Sequence, residues 1–523
     1  MIKEKTYEKK ASTKNGILRL VFVALSLILE TIFFWGIFFT RLQNYISIIT
    51  VANRLVAFGL VVAIYSQYRS PSIKMPWIML MMAFPIVGVS LYLLIGLSGS
   101  TNRMRKRYET IDDIIFRYLP QNEEVMEKLR QKDPSCHGIS SYILRESRYP
   151  IYSNTEVTYF DDAAKAVESQ KRELALAKKF IFMEYFLIDD KECWQEIEDI
   201  LVQKVSEGVE VRVIYDDIGS VGYISTSFSE KLKKRGIKCR VFNPMGPLFN
   251  IFLNNRDHRK ITVIDGKIGY TGGYNIANEY VHISEPCGYW KDTGVRLEGE
   301  AVRAMTGTFL EMWNAVRADD KEDDEIINRY MPQMEPILNN RNSFVQFYAD
   351  NPMDKKPIGE DVYMCMASRA QKYLYFVTPY LIITDEMSRT LGLAAKRGVD
   401  VRIVTPGIPD KKIIYQITRS YYSRLIRDGV RIYEYTPGFC HAKMSISDDI
   451  VATCGPINLD YRSLYHHFED GCLMAGSDVV SDIKKDFDSI FCVSKEVTEE
   501  YKTGMAMSLR FGQLILRLMA PLL

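Results

Sequence analysis

Apolar residues fall into distinct regimes along the chain. Two runs are long and almost free of charge: residues 20–39 read LVFVALSLILETIFFWGIFF with Glu30 as the single charge, and residues 75–97 read MPWIMLMMAFPIVGVSLYLLIGL with none. Each is long enough for a helix that crosses a hydrocarbon core of about 30 Å, which takes roughly 20 residues. Between them ISIITVANRLVAFGLVVAIY, at 46–65, is interrupted by Asn53 and Arg54. A mid-bilayer arginine costs roughly 2.5–3.5 kcal/mol on insertion scales. That segment therefore reads as a third span, a re-entrant hairpin or an interfacial helix. Lys3, Lys5, Lys9, Lys10 and Lys14 precede the first run, and Arg103, Arg105, Lys106 and Arg107 follow the last. Both clusters favour the cytoplasmic side, which takes an even number of crossings. Residues 1–110 thus predict a two-span anchor with a cytoplasmic body behind a connecting segment at 111–145.

After residue 145 the pattern changes to short β-branched runs alternating with amphipathic stretches. KKFIFMEYFLI from Lys178 predicts a strand, WQEIEDILVQKVSEG a helix ended by Gly208, and EVRVIYDD from Glu210 a buried strand. Strands that alternate with helices predict an α/β fold with a largely parallel or mixed sheet under helices. The same phrases then return in the same order. GVEVRVI at Gly208 is answered by GVDVRIV at Gly398, RGIKCRVFNP around Gly236 by DGVRIYEYTP around Gly429, and HRKITVID at His258 by HAKMSISD at His441. The offsets drift as loop insertions make them drift, so two copies of one unit are expected, at 146–318 and 342–500. Between them, 319–341 opens with the acidic run DDKEDDE and reads as a solvated linker. At the end, 501–523 predicts an amphipathic helix, with Arg510, Gln513 and Arg517 on one stripe.

Composition narrows the function. The 67 Lys+Arg and 65 Asp+Glu leave a net charge of +2, which speaks against a general nucleic-acid binder. Charged residues at 25% and hydrophobic ones at 47% are globular values. The nine cysteines, with no CxxC or Cys/His ligand spacing, argue against a disulfide framework or a zinc site. Reduced thiols suit a cytoplasmic body.

The chemistry is carried by one pattern found twice: His, any residue, Lys, four residues, Asp. The sets are His258, Lys260 and Asp265, then His441, Lys443 and Asp448. A given histidine fits by chance roughly once in 200, and the chain has only 6. On a strand, positions i and i+2 share a face, so each His and Lys project together. The aspartate follows at a turn, Asp265–Gly266 in the first copy, from where it could return to orient a histidine. In the second copy the turn reads Asp448–Asp449 and lacks the glycine. Two imidazoles, two ammonium groups and orienting carboxylates make a site for a reacting phosphodiester: lysines hold its oxygens, one histidine attacks phosphorus and the other protonates the leaving alkoxide. Gly272, Gly273 and Gly455 would let backbone approach a phosphate, Asn275 and Asn458 could donate to it, and Glu279 and Glu469 could orient a histidine.

These paired motifs resemble the phospholipase D superfamily, and more closely its bacterial cardiolipin synthases. The resemblance extends through MEYFLI at Met183, VIYDDIGS at Val213, GYWKDTGVRLEG at Gly288, VTPYLI at Val377 and a C-terminal MAPLL. It implies two α/β/α sandwich domains whose motifs meet in one active site, with no metal or other cofactor. It implies a bacterial plasma-membrane enzyme that uses phosphatidylglycerol, with no nucleic-acid partner. One histidine would displace glycerol to form a phosphatidyl–histidine and the other would activate a second phosphatidylglycerol, giving cardiolipin. By the same analogy His258 is the nucleophile and His441 the acid/base. Pro456 stands where many relatives carry serine, which would remove one phosphate contact. The same site would also serve a phospholipase D hydrolase or a phosphatidylserine synthase. A non-catalytic anionic-lipid-binding protein is the reading from a different class.

Overall fold

A computed structural model describes residues 46–502 and Arg517, apart from 68–69, 86–87, 90–91, 93–98, 245–254, 317–326, 334–342, 355 and 477. The expected span at 20–39 lies outside the described residues, as do most of the acidic linker and the C-terminal helix; the run at 75–97 is described in part. Among the described residues no helix is long and apolar enough to cross a membrane. Helices Ile46–Tyr65 and Pro71–Ala83 pack on each other. Val51, Leu55, Phe58, Val62, Met79 and Met82 on this pair are exposed, while Ile73 is buried in the main core.

The duplication is realised as two sheets with one strand order. In the first, the neighbours run Thr155–Phe160, Gly294–Gly299, Ile268–Gly272, Lys260–Ile264, Phe180–Tyr185, Glu210–Asp216 and Lys238–Phe242. In the second they run Phe344–Asp350, His467–Ala475, Val451–Cys454, Met444–Ser447, Tyr373–Val377, Asp400–Pro406 and Arg431–Tyr435, with Ser494–Glu496 added at the far edge. The three strands that alternate with helices pair in parallel, and the motif strands join antiparallel. This is a mixed α/β fold with two duplicated domains.

Each sheet is buried on both faces, which is why its central strands read as continuous apolar runs. Phe182 stacks on Phe309 of helix Val302–Val316, 4.5 Å between ring centroids. Its neighbours Ile181 and Met183 face the opposite way, into a second core with Val167, Trp194 and Leu201. The closing helices tie the halves together. Val302–Val316 packs on its own sheet and on Phe344–Asp350, which opens the second half; Asp478–Val493 packs on its own sheet and on Thr155–Phe160, which opens the first. Two short parallel pairs complete the seam: Arg256–Asp257 with His467–Phe468, and Tyr289–Lys291 with Gly438–Cys440. Both pairs end beside a motif histidine.

Candidate active site

The seam fixes each histidine from the opposite half. The His258 backbone N–H donates to the Phe468 carbonyl at 2.9 Å, and that of His441 donates to the Lys291 carbonyl at 2.7 Å. The next residue in each case supplies a carboxyl group. Glu469 lies 2.9 Å from His258 Nδ1 through both oxygens, and Asp292 Oδ2 lies 2.7 Å from His441 Nδ1. Aromatic rings wall the site, Phe186 against His258 and Tyr280, Phe439 and Trp290 against His441. Lys443 Nζ lies 2.6 Å from His441 Nδ1 and donates to the His441 carbonyl, as Lys260 Nζ donates to the His258 carbonyl at 2.5 Å.

All four groups are buried, and their charges reach one another. Burial holds His258 well below the usual imidazole range, and Lys260, His467, Lys443 and His441 push it the same way. Burial and Lys443 lower His441 to about 4 against the pull of Asp292, which favours the imidazolium. Burial brings Lys260 down to about 7 and Lys443 to about 8. Burial likewise pushes the Glu469 carboxyl well up, against the opposing charge of Lys260. Burial disfavours the ammonium charges of Lys260 and Lys443; a phosphodiester anion beside them would favour those charges.

Several residues singled out from the sequence do something else. Asp265 does not return to a histidine. Its oxygens accept the backbone N–H groups of Lys178, Lys179 and Phe180, tying the hairpin to the start of the neighbouring strand. Asp448 accepts those of Gln371, Lys372 and Tyr373 in the same way. The missing glycine changes little: Asp448 and Asp449 adopt φ of 56° and 59°, the left-handed pair that Asp265 and Gly266 adopt at 55° and 68°, and aspartate tolerates that region. Glu279 faces its own backbone, Asp189 and Lys191 rather than a histidine. Asn275 accepts from the Leu187 N–H and donates to the Tyr280 hydroxyl, so it braces the wall beside His441. Asn458 Oδ1 is buried with no partner among the described residues. Gly273 and Gly455 admit protein: a Cβ would fall 2.2 Å from Asp292 Oδ1 or 2.9 Å from the Asp470 carbonyl.

Glu469 is found beside His258, whereas Asp292 and His467 escaped the sequence reading. A signal existed, because Trp290-Lys291-Asp292-Thr293-Gly294 and His467-Phe468-Glu469-Asp470-Gly471 occupy matching places in the two copies. The ligand atoms of His258, His467 and Glu469 lie within 4.8 Å of one another, a set that could hold a cation, although the Lys260 and Lys443 ammonium groups oppose one. Arg259, behind the first motif, donates to the Glu469 carbonyl at 3.3 Å and to the Tyr108 hydroxyl at 3.1 Å.

Comparison with known proteins returns the same duplication. The family described as "Cardiolipin synthase, PLD-like domain" matches residues 171–313 and again 363–491. A phospholipase D-nuclease N-terminal family matches 55–96. An uncharacterized protein of Streptococcus mutans is 41% identical over 447 residues, 86% of this chain and 96% of its own. A cardiolipin synthase of Halalkalibacterium halodurans is 32% identical over 466 residues, 88% of this chain and 91% of its own. Among solved structures, the phosphatidylserine synthase of Haemophilus influenzae superposes with a TM-score of 0.56 at 15% identity, over 73% of this chain and 99% of its own, a likeness of fold alone.

Proposed function

The chain belongs to the cardiolipin synthases of the phospholipase D superfamily, and from that premise we propose that its chamber moves a phosphatidyl group from one phosphatidylglycerol to another. The observation that carries this is the exchange of carboxyl groups, each motif histidine being held by the other half. His258 Nδ1–H donating to Glu469 leaves the Nε2 lone pair free, and burial keeps that ring neutral, as a nucleophile requires. Burial and Lys443 hold His441 at about 4 against Asp292, which favours the imidazolium, so the phosphodiester anion must add to the pull of Asp292 for His441 to carry the proton. His258 Nε2 bonds to phosphorus as the glycerol oxygen leaves with the His441 proton. The second lipid's hydroxyl then returns a proton to His441, bonds to phosphorus and breaks the P–N bond, giving cardiolipin. Lys260, Lys443 and Asn458 are the groups we assign to the phosphate oxygens.

One phosphodiester replaces another, so the reaction needs no nucleotide. It does need water kept out and lipid hydroxyls kept close, and anchoring raises their effective concentration. We assign that role to residues 1–110, with two crossings, both basic flanks on the cytoplasmic side and the exposed apolar face of Ile46–Tyr65 and Pro71–Ala83 toward lipid. Purified full-length enzyme with labelled phosphatidylglycerol should yield cardiolipin and free glycerol; phosphatidic acid as the sole product would contradict the transfer.

A further inference from the structure

His467 is buried, 7% exposed, and neither ring nitrogen has a hydrogen-bond partner among the described residues. Its Nδ1 lies 3.7 Å from Glu469 Oε1, too far for a hydrogen bond. Burial and the neighbouring cations Arg462, His466, Arg256 and Lys260 hold the imidazole neutral. A neutral ring carries one N–H donor and one acceptor nitrogen, and burying both unsatisfied is unfavourable unless something else meets them.

Its place points to what does. The ring lies 5.5 Å from that of His258, and Phe186 stands 5.0 Å from His258 and 6.5 Å from His467. The duplication repeats the arrangement with a different ring. His467 stands two residues before Glu469, as Trp290 stands two before Asp292, and both short seam strands hold the equivalent register. The His441 side has an indole, whose Nε1 is likewise buried with no partner among the described residues, and the ammonium of Lys443 beside the ring. On both sides the motif lysine donates to its own histidine's carbonyl; the His258 side differs in presenting an imidazole, His467, with both a donor and an acceptor nitrogen open.

We propose that His467 is a further hydrogen-bonding group for the reacting lipid, meeting an oxygen of its headgroup region from the His258 side. The oxygen is either a phosphoryl oxygen, which accepts from the N–H, or a glycerol hydroxyl, which can satisfy either nitrogen. This rests on the phosphatidyl-transfer reading above.

The test compares full-length wild type, His467→Leu, His467→Phe and His467→Asn in mixed micelles. The donors are phosphatidylglycerol and phosphatidylmethanol, whose headgroup has no hydroxyl, with glycerol or methanol release as the readout. The two apolar variants should lose at least about tenfold in kcat/KM, the scale of one hydrogen bond, at a Tm close to wild type, while His467→Asn, which can still donate, stays within about threefold. Equal loss on both donors assigns the phosphoryl oxygen, and loss confined to phosphatidylglycerol assigns the hydroxyl. Apolar variants as active as wild type overturn the proposal. So does an asparagine variant that falls as far as they do, or a large drop in Tm for both apolar variants, which would give the nitrogens to the fold. A wild type that releases neither alcohol would instead overturn the transfer reading itself.

Discussion

His258 and Glu469 are separated by 211 positions in the chain and meet at 2.9 Å, across the seam between the two halves. The reciprocal pair, His441 and Asp292, closes at 2.7 Å in the other direction. Neither half carries a complete site, since each holds the carboxyl group that the other half's histidine uses. The two pairs are not equivalent. Burial pushes the Glu469 carboxyl toward its neutral form against the charge of Lys260, whereas Asp292 favours the imidazolium of His441.

That asymmetry predicts unequal variants. Asp292→Asn removes the charge that favours the His441 imidazolium and should cut kcat between about 10²- and 10⁴-fold, the range of general acid–base catalysis. Glu469→Gln keeps a neutral hydrogen-bonding group beside His258 and should cost less than about tenfold, with Glu469→Ala costing more. Steady-state rates of cardiolipin formation check the order.

The motif aspartates should behave as structural residues. Asp265→Ala or Asp448→Ala strands three backbone N–H groups each and should lower stability by about 2–4 kcal/mol. Thermal melts should show the loss. The protein that remains folded at low temperature should keep kcat within a few-fold of wild type.

Gly273→Ala should imitate Asp292→Asn. Its Cβ would lie 2.2 Å from Asp292 Oδ1, so the carboxylate must move off His441. The expected result is a fall in kcat with little change in KM.

Activity and stability should respond to alkaline pH in opposite senses. Folding lowers Lys260 from 10.5 to about 7 and Lys443 from 10.5 to about 8. As pH rises from about 7 to 9 the free enzyme loses the ammonium charge that receives the phosphate, so kcat/KM should fall. Over the same window the unfolded chain still holds both protons. It binds more protons than the folded chain, so these groups add to stability as pH rises. Lys260→Met should flatten its part of both profiles, measured by initial rates and by denaturant melts across pH.

Much of this was legible in the sequence because duplication prints its signal twice. The apolar runs at Phe180 and Val211 read as strands, the second of them buried, and in the fold both are strands with residues in the cores on either side of the sheet. His258 and His441 stood out because the spacing to lysine recurs. The aspartates misled because spacing alone cannot tell a carboxylate that orients a ring from one that caps a hairpin; both follow a turn. Asp292 and His467 sit in matching stretches of the two copies, yet what they do was hidden for a topological reason. They lie beside histidines of the opposite half, 149 residues apart for Asp292 and His441, and the seam strands bring them together.

A donor whose leaving group departs without protonation isolates the covalent step. With phosphatidyl-p-nitrophenol, His441→Ala should release close to one equivalent of nitrophenolate per enzyme and stall. Mass spectrometry should then find a phosphatidyl group on His258, while His258→Ala gives no burst. A burst from His258→Ala, or a stalled adduct on any other residue, would contradict a chamber in which His258 takes the phosphatidyl group and His441 handles the proton.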